Sequence, residues 1–501
     1  MTRANFWIGL LATTAFCAGP FVTAAQSPLS PEPLSETAPA APAAPSSPTI
    51  ESSPLAPPPP PAAAPAAAAP PVGAPPVAAP AVPAQNTMPA APAAEPAPVQ
   101  IAAPPAAKPK PKPPAPPPRE TALSDDPTPV LQPETFFATA KASERYAHIV
   151  DAGGWPVVPG DLSPGAKGPA VAALRRRLAV EGDLIGAEGS GSNWSPALTA
   201  GVKHFQFRNG LKQSGVVAGA TLRALNISAN VRFKQLASSA QRLAGMEFAY
   251  GDKYVVVNLP STAVDAVENG HVAHRYVAIV GSQDHPSPQI SAKIVAVNLN
   301  PTWTVPESII KNEIIPKMRK QPDYLSRAKI RILTGKGVEV NPRSIDWNSD
   351  KAVNYILRQD SGAGNSLGLI RIAMPNPDAV YMHDTPTRNL FSNDYRFLSH
   401  GCVRVQGVYD LAAWLLQGTP VNTPAAPAAL AAPGAPPAQP PAASAAWTSE
   451  LIQQKIGEGA REDVKLVKSI PVIWVYMTGW ASADGTVHFR DDVYNVDTIG
   501  G

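Results

Sequence analysis

An α+β multidomain chain is predicted from three features of the sequence. Runs of β-branched and aromatic residues with turn residues between them recur from Tyr254 to His383, the mark of a mostly β domain. Apolar residues at helical spacing fill a shorter stretch, Gly160 to Asn226, which reads as a small all-α unit. Ahead of both lies a long Ala/Pro-rich segment with no amphipathic period, a composition that stays disordered.

From the N-terminus, Arg3, the apolar run Phe6 to Cys17 and the small residues Thr23, Ala24 and Ala25 form a signal peptide, residues 1–25. At about a dozen residues the run is short for a membrane span, so export is expected rather than an uncleaved anchor. Phe16 is bulky where a lipoprotein site wants a small residue. The mature chain then belongs in the periplasm or cell envelope. Residues 26–134 hold more than half of the chain's 62 prolines and read as a polyproline-II-like spacer. Net charge is +3, which gives no reason to expect nucleic acid as a partner. Of two cysteines, Cys17 leaves with the signal and Cys402 is left alone in an oxidising compartment. An unpaired exported thiol beside Gly and His points to chemistry more than to packing.

After a connecting segment, 135–159, the helical unit spans 160–230. Val171, Leu174 and Leu178 form one helical face. Ala197, Val202 and Phe205 form a second, and Thr221, Leu222 and Leu225 a third after breaks at Gly215 and Gly219. The β domain follows over 231–422, entered through a helix from Val231 to Leu243. Strands are expected at Tyr254–Leu259, Tyr276–Val280, Lys293–Val297, Gly368–Ala373 and Val380–His383, with a helix from Gly407 to Leu416. Between 301 and 349 the β signal pauses and polar helical sequence appears, rich in Lys and Arg, which reads as a lid-like insertion. A second Ala/Pro run, 423–446, reads as a surface loop. Residues 447–501 complete the β domain, with Val472–Tyr476 and Val487–Phe489 expected to pair as a hairpin around Asp484-Gly485.

The stretch carrying chemistry is Tyr381-Met382-His383-Asp384-Thr385-Pro386 followed by Ser399-His400-Gly401-Cys402-Val403-Arg404. A thiol attacks carbonyls as thiolate and needs a base or a lowered pKa. His383, nineteen residues earlier at a strand end, is placed to be that base. Gly401 lets the backbone turn tightly, so that nearby amides can face a developing oxyanion.

This set resembles the catalytic signature of the YkuD-type L,D-transpeptidases: a His, a gap, then Ser/Thr-His-Gly-Cys-x-Arg/Asn. Asn298-Leu299-Asn300-Pro301-Thr302-Trp303-Thr304-Val305-Pro306, Asn365-Ser366-Leu367-Gly368 and Asp484–Asp492 extend the resemblance to the large YcbB-like branch. The helical unit is similar to the peptidoglycan-binding domain of three short helices, through Gly201-Val202-Lys203-His204-Phe205-Gln206, Asn209-Gly210-Leu211, Gly215-Val216, Thr221 and Leu225-Asn226.

The resemblance implies a cysteine acyltransferase of the cell wall. Cys402 is the nucleophile, acylated by a peptidoglycan tetrapeptide stem with release of D-Ala. His383 is the proton acceptor and donor. The acyl group passes to a diaminopimelate amine, to an envelope protein, or to water; a non-catalytic wall-binding protein is the remaining alternative. Carbapenem β-lactams are the expected covalent inhibitors. Around this pair, Ser399 is expected to orient His383 through its backbone carbonyl. His400 either shapes the pocket or makes a polar contact. Arg404 either binds a stem carboxylate or braces the loop. Tyr381 shares a strand face with His383 and either assists the oxyanion or packs. Trp303 is read as structural to the insertion. No spacing of His383, His400 and Cys402 matches a zinc site and no carboxylate is patterned with them, so neither metal nor cofactor is expected.

Overall fold

The computed structural model describes residues 119–421 and 446–499. The expected signal peptide, most of the spacer and residues 423–445 of the Ala/Pro loop lie outside the described residues.

Helices α1 (Thr135–Asp151), α2 (Pro169–Glu181), α3 (Pro196–Arg208), α4 (Gly219–Leu225) and α5 (Ala229–Leu243) come first. Local chemistry sets their ends. Pro169 and Pro196 begin helices where the missing N–H costs nothing. Ser195 and Ser228 accept hydrogen bonds from the Leu198 and Val231 amides, and α2 stops at Gly182, whose φ is 91°. Helices α2 to α4 bury Val171, Leu174, Leu178, Leu198, Val202, Phe205 and Leu225 in one core.

The stretch read as a connector between 135 and 159 contains α1, seventeen residues long and packed along α5. Its Tyr146 donates to Glu181 Oε1 (2.7 Å). Glu181 also meets Arg177 and Arg208 (both 2.5 Å), and Arg208 reaches Asp183 (2.6 Å). Burial pushes the Glu181 carboxyl up, but Arg208 and Arg177 outweigh it and hold it far below the usual carboxylate range. Removing one partner from such a network typically costs about 3–5 kcal/mol. The network is also a joint, because Arg490 donates to Arg208 O (3.1 Å) from the end of the chain. The small helical unit is thus fastened to the β domain through buried charge.

The β domain holds β1 (Lys253–Asn258), β2 (Ala263–Glu268), β3 (His271–Gly281) and β4 (Ile290–Leu299). The insertion follows, with β5 (Trp303–Thr304), α6 (Glu307–Ile309), a π turn over Ile310–Ile314, α7 (Ile315–Lys320), α8 (Tyr324–Arg327), β6 (Ile330–Leu333), β7 (Glu339–Val340) and β8 (Ile356–Gln359). Then come β9 (Ile370–Ala373), β10 (Met382–His383), β11 (Phe397–Ser399), β12 (Val403–Val405), α9 (Val408–Leu415), α10 (Ser449–Gly457), β13 (Glu462–Val475), β14 (Gly479–Ala481) and β15 (Val487–Phe489). The main sheet runs β11-β3-β12-β10-β9-β4-β13-β1-β2, and β2 pairs back to β3. The sheet therefore closes on itself, which removes free edges. Val255, Val257, Val297, Ile372, Met382, Val403 and Trp474 fill its core, with α9 and α10 against it.

Three sequence expectations change. Val472–Val475 belongs to β13 and pairs with β1 and β4; the hairpin partner of β15 is β14. Apolarity alone did not tell a barrel strand from a hairpin arm. Residues 119–134, read as spacer, are already packed: Leu131 is buried, and Arg275 donates to the carbonyls of Ser124, Asp126 and Thr128. The insertion runs from β5 to β8, past the expected end at 349, and has its own four-stranded sheet, β5-β8-β6-β7. Its core buries eleven apolar residues, among them Ile310, Ile314, Met318, Leu325, Ile332 and Leu357. The charged residues between 317 and 331 sit on the outside of a packed body. Each large apolar side chain buried is worth about 1.5–3 kcal/mol, so this body does not open by local melting. Asn365 ties its two ends together, donating to Pro301 O (3.2 Å) and Asp360 O (2.8 Å).

Candidate active site

Strands β10 and β12 run parallel, with Met382 opposite Val403 and His383 opposite Arg404. The Val403 amide donates to Tyr381 O (3.1 Å), so Cys402 at the mouth of β12 lies beside Tyr381. The Tyr381 and His383 rings meet edge-on, 5.7 Å between centroids. Burial and Cys402 push the Tyr381 hydroxyl up, while Arg371 and Trp303 of the insertion pull it down. Tyr381 thus adjoins His383 through its ring and the Cys402 turn through its carbonyl.

The turn before Cys402 is held by hydroxyls. Ser399 Oγ donates to Cys402 O (2.5 Å) and accepts from the Gly401 amide (3.2 Å), while Ser287 Oγ donates to Gly401 O (2.7 Å). Gly401 has φ 104°, a backbone that L side chains rarely adopt. The Gly401 amide is engaged by Ser399, whereas among the described residues the Cys402 N–H has no hydrogen-bond partner. One expectation is corrected here: the carbonyl of Ser399 accepts from the Ser282 amide (2.9 Å), and among the described residues no hydrogen bond joins it to His383.

Instead His383 Nδ1 donates to Asp384 O (2.5 Å). That bond fixes the tautomer and leaves Nε2 as the acceptor. Asp384 is itself fixed: its amide donates to Ile370 O (2.9 Å), and its Oδ2 accepts from the Leu369 amide and from Arg388 (both 3.1 Å). Gly368 makes room for it, since a Cβ there would stand 2.5 Å from the Asp384 Cβ.

Both His383 and Cys402 rest uncharged. Burial, with Arg404 beside it, pushes the His383 imidazole down to about 3, against the Asp384 carbonyl that Nδ1 bonds and the nearby Leu367 carbonyl. Burial also pushes the Cys402 thiol up, outweighing the hydrogen bonds from Tyr381 and the charges of Arg404 and Arg371. A neutral thiol and a neutral imidazole suit base-assisted attack more than a preformed ion pair.

The other predicted residues divide. Arg404 is partly buried and its Nε has no hydrogen-bond partner. Burial lowers it, while Cys402 raises it. His400 turns away from this cluster: its Nε2 meets Glu313 Oε1 of the insertion at 2.8 Å, and its ring stacks on His285 at 4.7 Å. Sequence reading missed Arg371, which pairs with His383 across β9 and β10 and sits over the Tyr381 ring at 5.5 Å. An arginine between Ile370 and Ile372 in an otherwise apolar strand was the available signal. Trp303, read as structural, faces the site through Tyr381. Glu313 carried no signal at all, because its role depends on how the insertion folds back.

Fold and site together place Cys402 in a tight turn at the mouth of β12, on the strand that runs parallel to β10 and His383. Residues 252–422 match the family model described as "L,D-transpeptidase catalytic domain", and residues 167–225 match "Putative peptidoglycan binding domain". A curated Haemophilus influenzae protein named "Putative L,D-transpeptidase" is 31% identical over 266 residues, 53% of this chain and 48% of that protein. The chain thus spans about half the length of this curated relative. Solved L,D-transpeptidases from Xylanimonas cellulosilytica (18% identity, 52% of this chain and 92% of that chain, TM-score 0.17) and Stackebrandtia nassauensis (17%, 50% and 85%, TM-score 0.21) are also similar. This chain carries a YkuD-type L,D-transpeptidase catalytic domain beside a peptidoglycan-binding domain.

Proposed function

We propose that the protein is an exported peptidoglycan L,D-transpeptidase with Cys402 as nucleophile and His383 as base. The observation that carries this reading is the parallel pairing of β10 with β12, which sets His383 next to the Cys402 turn, with Nδ1 of His383 anchored on Asp384 O and Nε2 left as acceptor. Nε2 takes the thiol proton as sulfur attacks the carbonyl between residues three and four of a tetrapeptide stem. The oxyanion forms at the Cys402 amide. The C–N bond breaks as the imidazolium returns the proton to the departing D-Ala, leaving a thioester. A diaminopimelate amine of a second stem then attacks; His383 takes its proton, and the sulfur leaves and is reprotonated. The product is a cross-link between third residues. Arg404 and Arg371 supply positive charge beside the sulfur, favouring the thiolate as it forms.

The insertion body is joined to the catalytic turn through Glu313 and His400, which places it to limit water at the thioester. The peptidoglycan-binding domain keeps the chain at the wall, and carbapenems acylate the same sulfur. The test is mass spectrometry of the products made from purified tetrapeptide muropeptides. Dimers linked through third residues, with free D-Ala, are expected. Tripeptides alone would make the protein a carboxypeptidase, and unchanged substrate would remove the assignment.

A further inference from the structure

Away from Cys402 lies a second cavity of about 450 Å³, bounded by the peptidoglycan-binding domain, the packed segment 119–130, β2 and the β14–β15 hairpin. That volume is in the range of small-molecule sites. None of Tyr381, His383 and Cys402 lines it. Three arginines from different parts of the chain do: Arg232 from α5, Arg396 just before β11, and Arg490 just after β15.

Their surroundings are unusual for buried cations. Among the described residues, none of the three makes an ion pair with a carboxylate. Arg232 is 2% exposed and Arg396 is 4% exposed, and the Nε of each has no hydrogen-bond partner. Arg396 spends its other donors on Asn393 O (2.7 Å) and Thr262 Oγ1 (2.6 Å). Arg490 donates to the Phe489 and Arg208 carbonyls and lies over the Trp480 ring at 5.1 Å. Five carboxylates also line the cavity, Glu120, Asp126, Asp265, Asp394 and Asp491, and three of them are engaged: Glu120 pairs with Arg223 (3.1 Å). Asp265 is held by Arg275 (2.7 Å), and Asp394 accepts from the amides of Glu120 and Thr121 and from Thr121 Oγ1. Burial, and for Arg490 the charges of Arg275, Arg232 and Arg396 as well, lowers each of the three to about 10. Glu181, Asp394 and Asp491 act on Arg232, Arg396 and Arg490 in the opposite sense but do not offset burial. Arg232 and Arg396 are buried and Arg490 is half-buried, and cations so placed without a direct carboxylate partner are costly unless something else supplies one.

We propose that this cavity is an anion-binding site, distinct from the Cys402 groove, which takes a ligand bearing carboxylate or phosphate groups through Arg232, Arg396 and Arg490. A guanidinium presents its donors in a fork that matches either oxyanion. Segment 119–130 makes one wall of the site, so an anion bound there also fastens that segment. The site does not depend on the transpeptidase reading.

The test is isothermal titration of the full chain with citrate as the carboxylate source and, separately, inorganic phosphate. Binding of either is expected at one per chain. Arg396→Gln and Arg490→Gln should each weaken it by roughly tenfold or more, the usual worth of a charged hydrogen bond. Binding of citrate alone or of phosphate alone names the source. Because either variant can fail to fold, Ala220→Glu provides a second arm. Ala220 lines the cavity, so the new carboxylate should occupy the site and abolish anion binding without lowering the melting temperature. No binding of either anion, or binding unchanged by the substitutions, would overturn the proposal.

Discussion

Replacing Gly368 by alanine should damage both the fold and the base, although the glycine is fifteen residues from His383 in sequence. Gly368 has φ 62°, which costs an L side chain about 1–2 kcal/mol. Its new Cβ would also stand 2.5 Å from the Cβ and Cγ of Asp384. Overpacking of that kind adds about 1–3 kcal/mol, for a total of roughly 2–5 kcal/mol. Gly337 provides the control: its φ is 80°, and a Cβ there meets nothing within 4 Å. Gly337→Ala should therefore show the backbone penalty alone. Urea unfolding of both variants gives the difference, expected at about 1–3 kcal/mol. The displaced Asp384 carries the carbonyl that anchors His383 Nδ1. Acylation should fall by about two orders of magnitude in Gly368→Ala, as expected for a misplacement near 1 Å, and stay near the parent rate in Gly337→Ala. Equal unfolding midpoints with an unimpaired acylation rate would refute the idea that Asp384 positions the base.

Other consequences are direct. His383→Ala should slow acylation by about two to four orders of magnitude, and a rate within a few-fold of the parent at neutral pH would exclude His383 as base. The folded imidazole sits near 3 against 6.5 when free, so between those values the unfolded chain holds a proton that the folded chain lacks. This stability is fully present above pH 6.5 and is lost as pH falls toward 3, up to about 5 kcal/mol. Unfolding midpoints measured from pH 7 to 4 should therefore drop less steeply in His383→Ala than in the parent; parallel curves would contradict the buried neutral imidazole. Glu313→Gln removes the charge facing His400. Hydrogen exchange should then quicken in the 399–402 turn while the insertion core, Ile310 to Leu325, stays protected; melting of that core would restore the picture of a loosely packed lid.

The sequence made the strands β1, β3 and β4 and the three short helices legible, because each buries a clean apolar run or face. The Cys402 and His383 pair was legible as a motif, since its residue types follow from the chemistry of a thiol. What escaped had long-range causes. Helix α1 is polar along much of its length, and its buried Thr139 and Tyr146 acquire partners only from elements far along the chain. The insertion looked thin because Lys and Arg crowd 317–331, yet Met318, Leu325 and Ile330 between them meet Ile310, Ile314 and Leu357. Arg371 and Glu313 reach the site only through sheet register and the return of the insertion. Which atoms of Ser399 bond to which neighbours was beyond spacing arguments, so its expected hold on His383 was misassigned.

The central claim is that the sulfur of Cys402 carries the acyl group. Its most direct test is intact-protein and peptide mass spectrometry of the parent and of Cys402→Ala after exposure to a carbapenem or to a tetrapeptide donor without acceptor. The account predicts one adduct per chain on the parent, located at Cys402, and none on a Cys402→Ala variant that keeps the parent's unfolding midpoint. An adduct on the folded variant, or one mapped to another residue of the parent, would contradict it.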